Sequence, residues 1–308
     1  MTGNNKVAKL KSRPVLDTAV LLIVFNRIDT TKLVFEAIRL AKPPRLYVAS
    51  DGAREFNSTD DVSVREVRNY IISSVDWDCE VFTLFGEQNS GCKVAVSEAI
   101  NWFFQNEVKG IILEDDCLPS QSFFWFCEEL LEKYLDDTRV GQISGFNYGY
   151  ENSDLNYDYF FSKYGFIWGW ASWRRAWKKY DIKMNNYEEC KKIDLFENYF
   201  FHDKKAQVNK FESVYSNKLD TWDYQWSYAR FINNLYTIVP QTNLIKNIGF
   251  GDNATHTFGV NPYEHIKNEE LKDGDLIHPN YFIQLRDFYK IFDKRDSIFR
   301  RIKRRLKR

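Results

Sequence analysis

Four short apolar runs recur along the first half of the chain, and each is followed by polar or turn-forming residues. Runs of this kind, bounded by turn formers, are typical of buried strands. Their ends lie roughly thirty residues apart, which is the length of one strand–helix–strand unit. The four predicted strands are Ala19–Phe25, Arg45–Ser50, Cys79–Phe85 and Ile111–Leu113.

Helical patterns separate these runs. Thr30–Leu40, Val62–Val75 and Lys93–Phe104 each place apolar residues at helical spacing. Alternating strands and helices predict an α/β fold, in which a mostly parallel sheet has helices on both faces. Because ligands bind such sheets outside the carboxyl ends of the strands, we expect the residues that follow each strand to converge on one crevice.

Three consecutive acids, Glu114, Asp115 and Asp116, follow the fourth predicted strand. Carboxylates crowded at the end of a buried strand repel one another and lose hydration. A hard divalent cation, Mg²⁺ or Mn²⁺, bound by a carboxylate and by substrate phosphates would compensate this cost. A solvated acidic turn is the alternative. The expected convergence of Arg27 and Asp51 on the same sheet edge favours a metal and nucleotide site.

The second half of the chain has a different pattern. Residues 140–180 are rich in glycine and aromatic side chains, and 183–235 have the periodicity of helices. Residues 236–262 predict a short strand pair that ends in a glycine-rich segment. This half is expected to complete the site formed by the first.

No linker or internal repeat divides the sequence, so we predict one large domain. The predicted organisation is a polar N-terminal segment (1–16), a domain (17–285) and a basic amphipathic tail (286–308). Within the domain, 17–139 would form the nucleotide-binding half, and 140–285 the acceptor and catalytic half.

The composition narrows the class of protein. The 308 residues have zero formal net charge and are 44% hydrophobic, which supports a substantial core and gives no electrostatic reason to expect nucleic acid as a partner. Five cysteines, none at CxxC spacing, favour a reducing compartment. No uncharged apolar stretch reaches the length of a membrane helix. We therefore expect a cytoplasmic protein.

The end of the chain has its own charge pattern. Residues 300–308 contain seven cations and no acid, and apolar residues are interspersed from Phe288 onwards. A basic amphipathic segment predicts peripheral binding to an anionic membrane surface, near a lipid-linked acceptor. A solvated tail and a contact with nucleic acid are the alternatives.

Six sequence elements, in the same order over most of the chain, resemble the GT-A glycosyltransferases, which have a Rossmann-like nucleotide-sugar transferase fold. Within this family, the elements resemble those of the N-acetylglucosaminyltransferase that begins complex N-glycan branching and of its bacterial relatives. The elements are Asn26-Arg27, where the family has Asp-Arg, Ser50-Asp51-Gly52, Glu114-Asp115-Asp116, Gly169-Trp170, Trp222-Asp223 before Trp226, and Phe250-Gly251 followed by His256.

The resemblance implies a nucleotide-diphosphate sugar as the donor, with UDP the expected nucleotide. In this family the last acid of the triplet binds the metal, which points to Asp116 and to Mn²⁺ or Mg²⁺ as the cofactor. The middle acid, Asp115, would face the ribose or the diphosphate. The first acid, Glu114, would contact the donor sugar.

The same resemblance implies roles for residues outside the triplet. Asp51 would hold the uracil or the ribose. Arg27, with Phe25 and Asn26 at the same strand end, would lie beside the nucleotide. His256 would contact the donor or the metal, and a hydrogen bond from this histidine to a loop carbonyl is the alternative.

The resemblance further implies an inverting transfer to a hydroxyl of a glycan or a lipid-linked glycan, with the Trp-Asp carboxylate as general base. That carboxylate corresponds to Asp223. It also falls in the first turn of the predicted helix Trp222–Asn234, where the helix dipole favours an acid that has no catalytic role. Asp220 is the alternative base.

Aromatic residues around Gly169 suggest where the acceptor binds. Trp168 and Trp170 flank this glycine, and flat aromatic faces suit the apolar faces of sugars. Trp170, Trp173 and Trp177 also have the i, i+3, i+7 spacing of a packed helix face, so we predict Trp173 and Trp177 to be core residues.

Two other functions fit parts of the sequence. A sugar-nucleotide nucleotidyltransferase would need a glycine-rich phosphate loop after the first strand, but Asn26–Thr31 contains no glycine. A non-catalytic protein that binds a nucleotide sugar or a glycan remains the alternative from a different class.

Overall fold

Two parallel strands, β1 (Val20–Val24) and β4 (Lys109–Glu114), lie side by side within the main sheet. Strand β1 also pairs in parallel with β2 (Arg45–Ser50), which pairs in parallel with β3 (Glu80–Phe85). All four strands predicted for the first half are therefore present. The computed structural model describes residues 16–150, 152–198, 204–250, 263–272 and 274–289.

Four further strands extend the sheet beyond β4: β6 (Val140–Ser144), β7 (Tyr159–Ser162), β8 (Trp170–Trp173) and β9 (Tyr236–Pro240). The order across the sheet is β3-β2-β1-β4-β8-β6-β9-β7. Strands β7 and β8 run antiparallel to their neighbours, and the other strands of this sheet share one direction. The fold is thus α/β with a mostly parallel, Rossmann-like sheet, as predicted.

Helices connect and cover the strands. The helices of the first half are α1 (Ile28–Ala41), α2 (Asp60–Ser74), α3 (Cys92–Asn106) and α4 (Gln121–Lys133). Those of the second half are α5 (Arg174–Trp177), α6 (Tyr187–Lys192), a 3₁₀ turn (Leu195–Asn198), α7 (Lys204–Tyr215) and α8 (Asp223–Ile232). The second half of the chain therefore contributes both strands and helices. Its sequence pattern predicted helices within 183–235, where α6, α7 and α8 lie, but not the strands β6, β7 and β8.

Strand β1 is buried on both faces, which explains its continuous apolar sequence. Val20 and Leu22 pack in the core cluster that contains Phe35 of α1. Leu21 points to the opposite face and packs in the cluster that contains Phe103 of α3. Each fully buried aliphatic side chain of this kind contributes about 1.5–3 kcal/mol to the free energy of unfolding.

The tryptophan spacing near Gly169 does not mark a single helix face, and this prediction was wrong. Trp170 and Trp173 lie at the two ends of β8, and only Trp177 lies in a helix, the short α5. Because side chains alternate along a strand, Trp170 and Trp173 enter different core clusters. Trp173 and Trp177 are buried, so their assignment to the core is confirmed.

The predicted strand pair over 236–262 is also corrected. Strand β9 pairs with β6 and β7 in the main sheet. The next strand, β10 (Ile245–Asn247), instead forms an antiparallel ribbon with β5 (Cys117–Pro119). Strands β9 and β10 thus belong to different sheets. Strand β5 follows the acidic triplet, so its pairing with β10 places β10 at the edge of the crevice.

The predicted boundary at residue 285 lies too early. Phe288 is buried and packs edge-on against Phe160 of β7, with 4.9 Å between the ring centroids. The domain therefore continues at least to this residue, and the rest of the predicted tail, from 290, lies outside the described residues. No helix within the described ranges is long and apolar enough to cross a membrane.

Candidate functional site

A cavity of about 410 Å³, here called the first cavity, lies at the carboxyl edge of β1, β2 and β4. It is also lined by the loop before α3 and by Gly249, which follows β10. The predicted site residues that line it are Phe25, Arg27, Asp51, Glu114, Asp115, Asp116 and Asp220. The parallel strands thus bring together residues that are far apart in sequence, as expected.

Arg27 forms the main cationic contact of the first cavity. Its Nη2 atom donates to Oδ1 of Asp115, and it lies 2.9 Å from Oδ2 of Asp116. The backbone N–H of Phe25 donates to the other Asp115 oxygen across 3.3 Å. Arg27 follows β1 directly, and both aspartates follow β4, so the pairing of two adjacent strands creates this ion pair.

The pKa values of these groups reflect burial and mutual charge. Burial raises the pKa of Asp115 to about 6, although the charge of Arg27 acts in the opposite direction. Burial alone would lower the pKa of Arg27, but the charges of Asp115 and Asp116 hold it above its usual range. Arg27 therefore stays protonated and partly neutralises the acidic triplet.

Glu114 lacks a comparable partner. Its Oε1 atom is buried and has no hydrogen-bond partner among the described residues. Burial, followed by the charges of Asp116, Asp115 and Asp223, raises the pKa of Glu114 well above its usual value. A buried oxygen without a partner costs free energy unless a ligand or a cation supplies one. Glu114 is therefore the strongest local indication that something binds in this cavity.

Asp51 is held by the loop that precedes α3. Its Oδ1 accepts from the N–H of Ser90 at 2.9 Å, and its Oδ2 accepts from the side-chain amide of Asn89 at 2.9 Å. The N–H of Gly91 also donates to Oδ2, at 3.1 Å. Asp51 thus ties the end of β2 to the start of α3 and fixes the wall of the first cavity.

Asn26 does not line the first cavity. Its side-chain amide donates instead to Oδ1 of Asp60, at 2.9 Å, near the start of α2. Arg54 binds the same carboxylate and lies over the ring of Phe25, 5.3 Å from its centroid. A contact between the Asn26 side chain and the donor does not fit this arrangement. Arg54, in contrast, lines the first cavity, although the sequence did not predict it as a site residue.

Asp223 is the first residue of helix α8, and Trp222 is the N-cap residue of this helix. Its Oδ1 accepts a hydrogen bond from the hydroxyl of Thr221. Burial raises the pKa of Asp223 above its usual value, and the Thr221 hydrogen bond opposes this rise. A carboxylate with a raised pKa is suited to accept a proton near neutral pH.

A second cavity, of about 300 Å³, contains Asp223. Its other lining residues include aromatic and basic side chains: Phe146, Tyr148, Phe166, Trp168, Tyr263, Lys163, Lys210 and Arg230. Trp168 is half-buried, and it lines this cavity. Flat apolar rings beside a carboxylate are a suitable surface for a sugar that presents a hydroxyl.

Trp170 has no such open face. Its relative accessibility is 0%, and its ring stacks on Trp222 with 5.8 Å between centroids. The prediction that Trp170 contacts the acceptor was therefore wrong. The cause is strand alternation, because β8 directs this side chain into the core beneath α8.

Two chain segments join the two cavities. Asp220 lines the first cavity and Asp223 the second, only three residues later. Gly249 lines the first cavity. The next residue, Phe250, packs edge-on against Trp168 of the second cavity, with 5.9 Å between the ring centroids. The charge of Asp223 also raises the pKa of Glu114 in the first cavity. The two cavities therefore adjoin.

The acidic triplet supplies oxygen ligands of the kind that a divalent cation prefers. Within the described ranges, no group of three or more histidine, cysteine or acidic side chains is arranged as a complete metal cage. Mg²⁺ and Mn²⁺ sites that include substrate phosphates need only one or two protein carboxylates. Asp116, which is 18% exposed, is a carboxylate of this kind, and the unpartnered Glu114 oxygen belongs to the same triplet. His256 lies outside the described residues.

Comparisons with known proteins show only distant similarity. No protein-family model and no curated protein sequence matches the chain. The mannosyltransferase PcManGT from Pyrobaculum calidifontis, solved with GDP-Man and Mn²⁺, aligns over 50% of this chain and 44% of its own, with 12% identity and a TM-score of 0.31. The chain thus spans less than half of that protein.

Two further solved structures align at similar levels. HddC from Yersinia pseudotuberculosis aligns over 51% of this chain and 77% of its own, with 10% identity and a TM-score of 0.31. A UDP-glucose pyrophosphorylase complexed with UDP-glucose aligns over 75% of this chain and 91% of its own, with 10% identity and a TM-score of 0.36. Values this low support no functional argument, so the function rests on the geometry of the site.

Proposed function

We propose that this protein is a metal-dependent glycosyltransferase that moves a sugar from a nucleotide-diphosphate sugar to a hydroxyl of a glycan or lipid-linked glycan. The observation that supports this most is the position of Asp223, in an aromatic cavity that adjoins the acidic first cavity. A transferase needs this arrangement because the donor and the acceptor must meet at one base.

The first cavity suits the donor. A divalent cation bound there would neutralise the charge that develops on the leaving diphosphate. Asp116 would hold that cation, and Glu114, whose buried oxygen has no partner among the described residues, would contact the donor sugar beside it. Arg27 would lie beside the phosphates, where its permanent charge stabilises their oxygens. Phe25 and Asp51 on the cavity wall would face the nucleoside.

The second cavity suits the acceptor. Its hydroxyl oxygen would attack the anomeric carbon of the donor sugar while the bond from that carbon to the diphosphate oxygen breaks. The hydroxyl proton would pass to the carboxylate of Asp223. A single base on the face opposite the leaving group is sufficient for inversion. The sequence resemblance supports UDP as the nucleotide, and N-acetylglucosamine or another hexose as the transferred sugar.

Turnover is measured as release of the nucleotide from UDP-, GDP- and CMP-sugars, with and without Mn²⁺. A comparison of the wild type with Asp223→Asn and Asp220→Asn tests the proposal. We expect Asp223→Asn to lower turnover by about 10²–10⁴-fold and to leave nucleotide binding unchanged. A loss confined to Asp220→Asn would assign the base to Asp220. Donor binding without turnover in the wild type would instead indicate a non-catalytic binding protein.

Two sequence-based proposals concern residues outside the described ranges. His256 would contact the donor or the metal. The basic end of the chain would hold the enzyme at an anionic membrane surface near a lipid-linked acceptor. Sedimentation with anionic vesicles, comparing the full chain with one that ends before Asp296, tests the second proposal. Equal binding by both chains would contradict it.

A further inference from the structure

The second cavity contains a buried cation that the proposed mechanism does not use. Arg230, on α8, is 2% exposed and lines this cavity. Its Nη1 atom donates to the Thr237 hydroxyl at 2.7 Å and lies 3.5 Å from the carbonyl oxygen of Lys163, and its guanidinium lies 5.9 Å from the ring centroid of Trp226. Its Nε atom is buried and has no hydrogen-bond partner among the described residues. A guanidinium has five donors, so part of the capacity of Arg230 is not used within the described part of the chain.

No carboxylate in the described part of the chain forms an ion pair with Arg230. Burial lowers its pKa to about 9, and no neighbouring acid offsets this effect. Buried charges are normally paired or fully hydrogen-bonded, because an uncompensated charge destabilises the fold. Arg230 remains protonated at neutral pH, so it presents a charge that an anionic ligand would compensate.

Two lysines add positive charge to the lining of the second cavity. Lys163 and Lys210 line it together with Arg230, and Asp223 is the one acid among its described lining residues. The pKa of Lys163 is lowered by burial, which indicates that its ammonium lies partly out of water. Lys210 lies close enough to Asp223 for its charge to lower the pKa of that carboxyl. Among the described residues, the lining of the cavity is therefore cationic as well as aromatic.

We propose that the acceptor carries an anionic group, a phosphate or a carboxylate, which Arg230 and Lys163 bind in the second cavity. This inference rests on the proposed function, in which the second cavity is the acceptor site. Trp168 and Tyr263, whose ring centroids lie 5.2 Å apart, would contact the sugar. Arginine suits this task because its planar fork matches the oxygens of phosphates and carboxylates.

Calorimetric titration of the full chain tests this preference. The probes are methyl glucoside, glucose 6-phosphate, glucuronate and inorganic phosphate. We expect the charged sugars to bind at least about tenfold more tightly than the neutral one, since each charge-assisted contact is worth about one decade in affinity. Tighter binding of glucose 6-phosphate than of glucuronate would identify phosphate as the group, and the reverse order would identify carboxylate.

Variants locate the binding site. Lys163→Gln should weaken the binding of the charged sugars about tenfold and leave the binding of the neutral sugar unchanged. Lys179→Gln, at an exposed position outside the cavity, is the matched control. Arg230→Lys keeps the charge and should retain part of the affinity. Because a change at buried Arg230 can prevent folding, Lys163→Gln is the deciding variant.

Binding of UDP with Mn²⁺ to the same variants separates this inference from the proposed function. Equal binding of neutral and charged sugars, or no effect of Lys163→Gln, would overturn the inference even where the nucleotide binds. Charged-sugar binding that depends on Lys163, in a protein that binds no nucleotide, would overturn the acceptor role and leave the anion site standing.

Discussion

Nη2 of Arg27 lies 2.9 Å from Oδ2 of Asp116, the residue to which we assign the metal. The same nitrogen donates to Asp115, so one guanidinium compensates two adjacent carboxylates. A bound cation would share these oxygens with Arg27. Without a bound cation, the charge balance of the two carboxylates depends on Arg27.

Arg27→Ala should reduce the free energy of unfolding of the metal-free protein by about 3 kcal/mol, because it leaves a buried carboxylate pair without its cation. Mn²⁺ should restore stability more strongly in this variant than in the wild type, since the ion replaces the lost charge. Urea unfolding in EDTA and in Mn²⁺ measures both effects. Arg39→Ala, which breaks an exposed ion pair with Asp76, should have a much smaller effect that Mn²⁺ does not alter.

Glu114→Gln should stabilise the metal-free protein at neutral pH. Because the pKa of Glu114 is raised in the folded state, the folded protein binds more protons at this site than the unfolded chain. The free energy of unfolding therefore falls as the pH rises from the ordinary glutamate pKa to the raised value. Glutamine has no charge to bury and removes this fall. Thermal melting between pH 4 and about 8 should show a higher Tm for the variant, by roughly 2–4 °C for each kcal/mol gained.

An unchanged pH dependence in Glu114→Gln would show that burial of this carboxyl does not affect stability. Glu132→Gln is the matched control. Glu132 is exposed, and its hydrogen bond with Lys109 lowers its pKa, so its replacement should not raise the Tm.

The hydrogen bond from Thr221 to Asp223 predicts the pH dependence of turnover. This bond stabilises the charged carboxylate, so Thr221→Val should raise the pKa of Asp223 further. A smaller fraction of the base would then be deprotonated in acid, and the acid limb of the kcat/KM profile should move to higher pH. Thr221→Ser keeps the hydroxyl and should retain the wild-type profile. A shift of equal size in both variants would contradict the assignment of Asp223 as base.

Gly249 allows the segment after β10 to lie against the acidic triplet. A Cβ atom at this position would clash with Oδ2 of Asp116, so Gly249→Ala must displace one of the two residues. We expect the variant to weaken Mn²⁺ binding, as measured by titration calorimetry in the presence of the nucleotide. Gly141→Ala is the control, because its Cβ would meet the side chain of Leu235 and should reduce stability without changing metal affinity.

The first half of the fold could be predicted because its strands are buried on both faces. Such strands have continuous apolar sequences, as Val20–Val24 shows, and their polar residues begin where each strand ends. The meeting of Arg27 with the acidic triplet follows from this rule alone. No local signal, however, showed that Asn26 would bind Asp60 or that Arg54 would reach the same cavity.

The second half was less predictable because long-range pairing determines its elements. The spacing of Trp170, Trp173 and Trp177 fits a helix, but pairing with β4 and β6 places the first two in a strand. Arg230 is one cation on an amphipathic helix, and such residues usually face water. Its burial depends on Thr237 and on Gly165, which are contacts that a single sequence does not reveal.

The proposed donor site is tested most directly by thermal melting of the wild type and Asp116→Ala with UDP, GDP and CMP, each with and without Mn²⁺. A ligand at about a hundred times its dissociation constant stabilises the folded state by about 2.7 kcal/mol, which is readily measured. We predict a Mn²⁺-dependent rise in Tm with one nucleotide, UDP, that Asp116→Ala abolishes. No response to any nucleotide, or an equal response in Asp116→Ala, would contradict the assignment of the acidic triplet as a metal and nucleotide site.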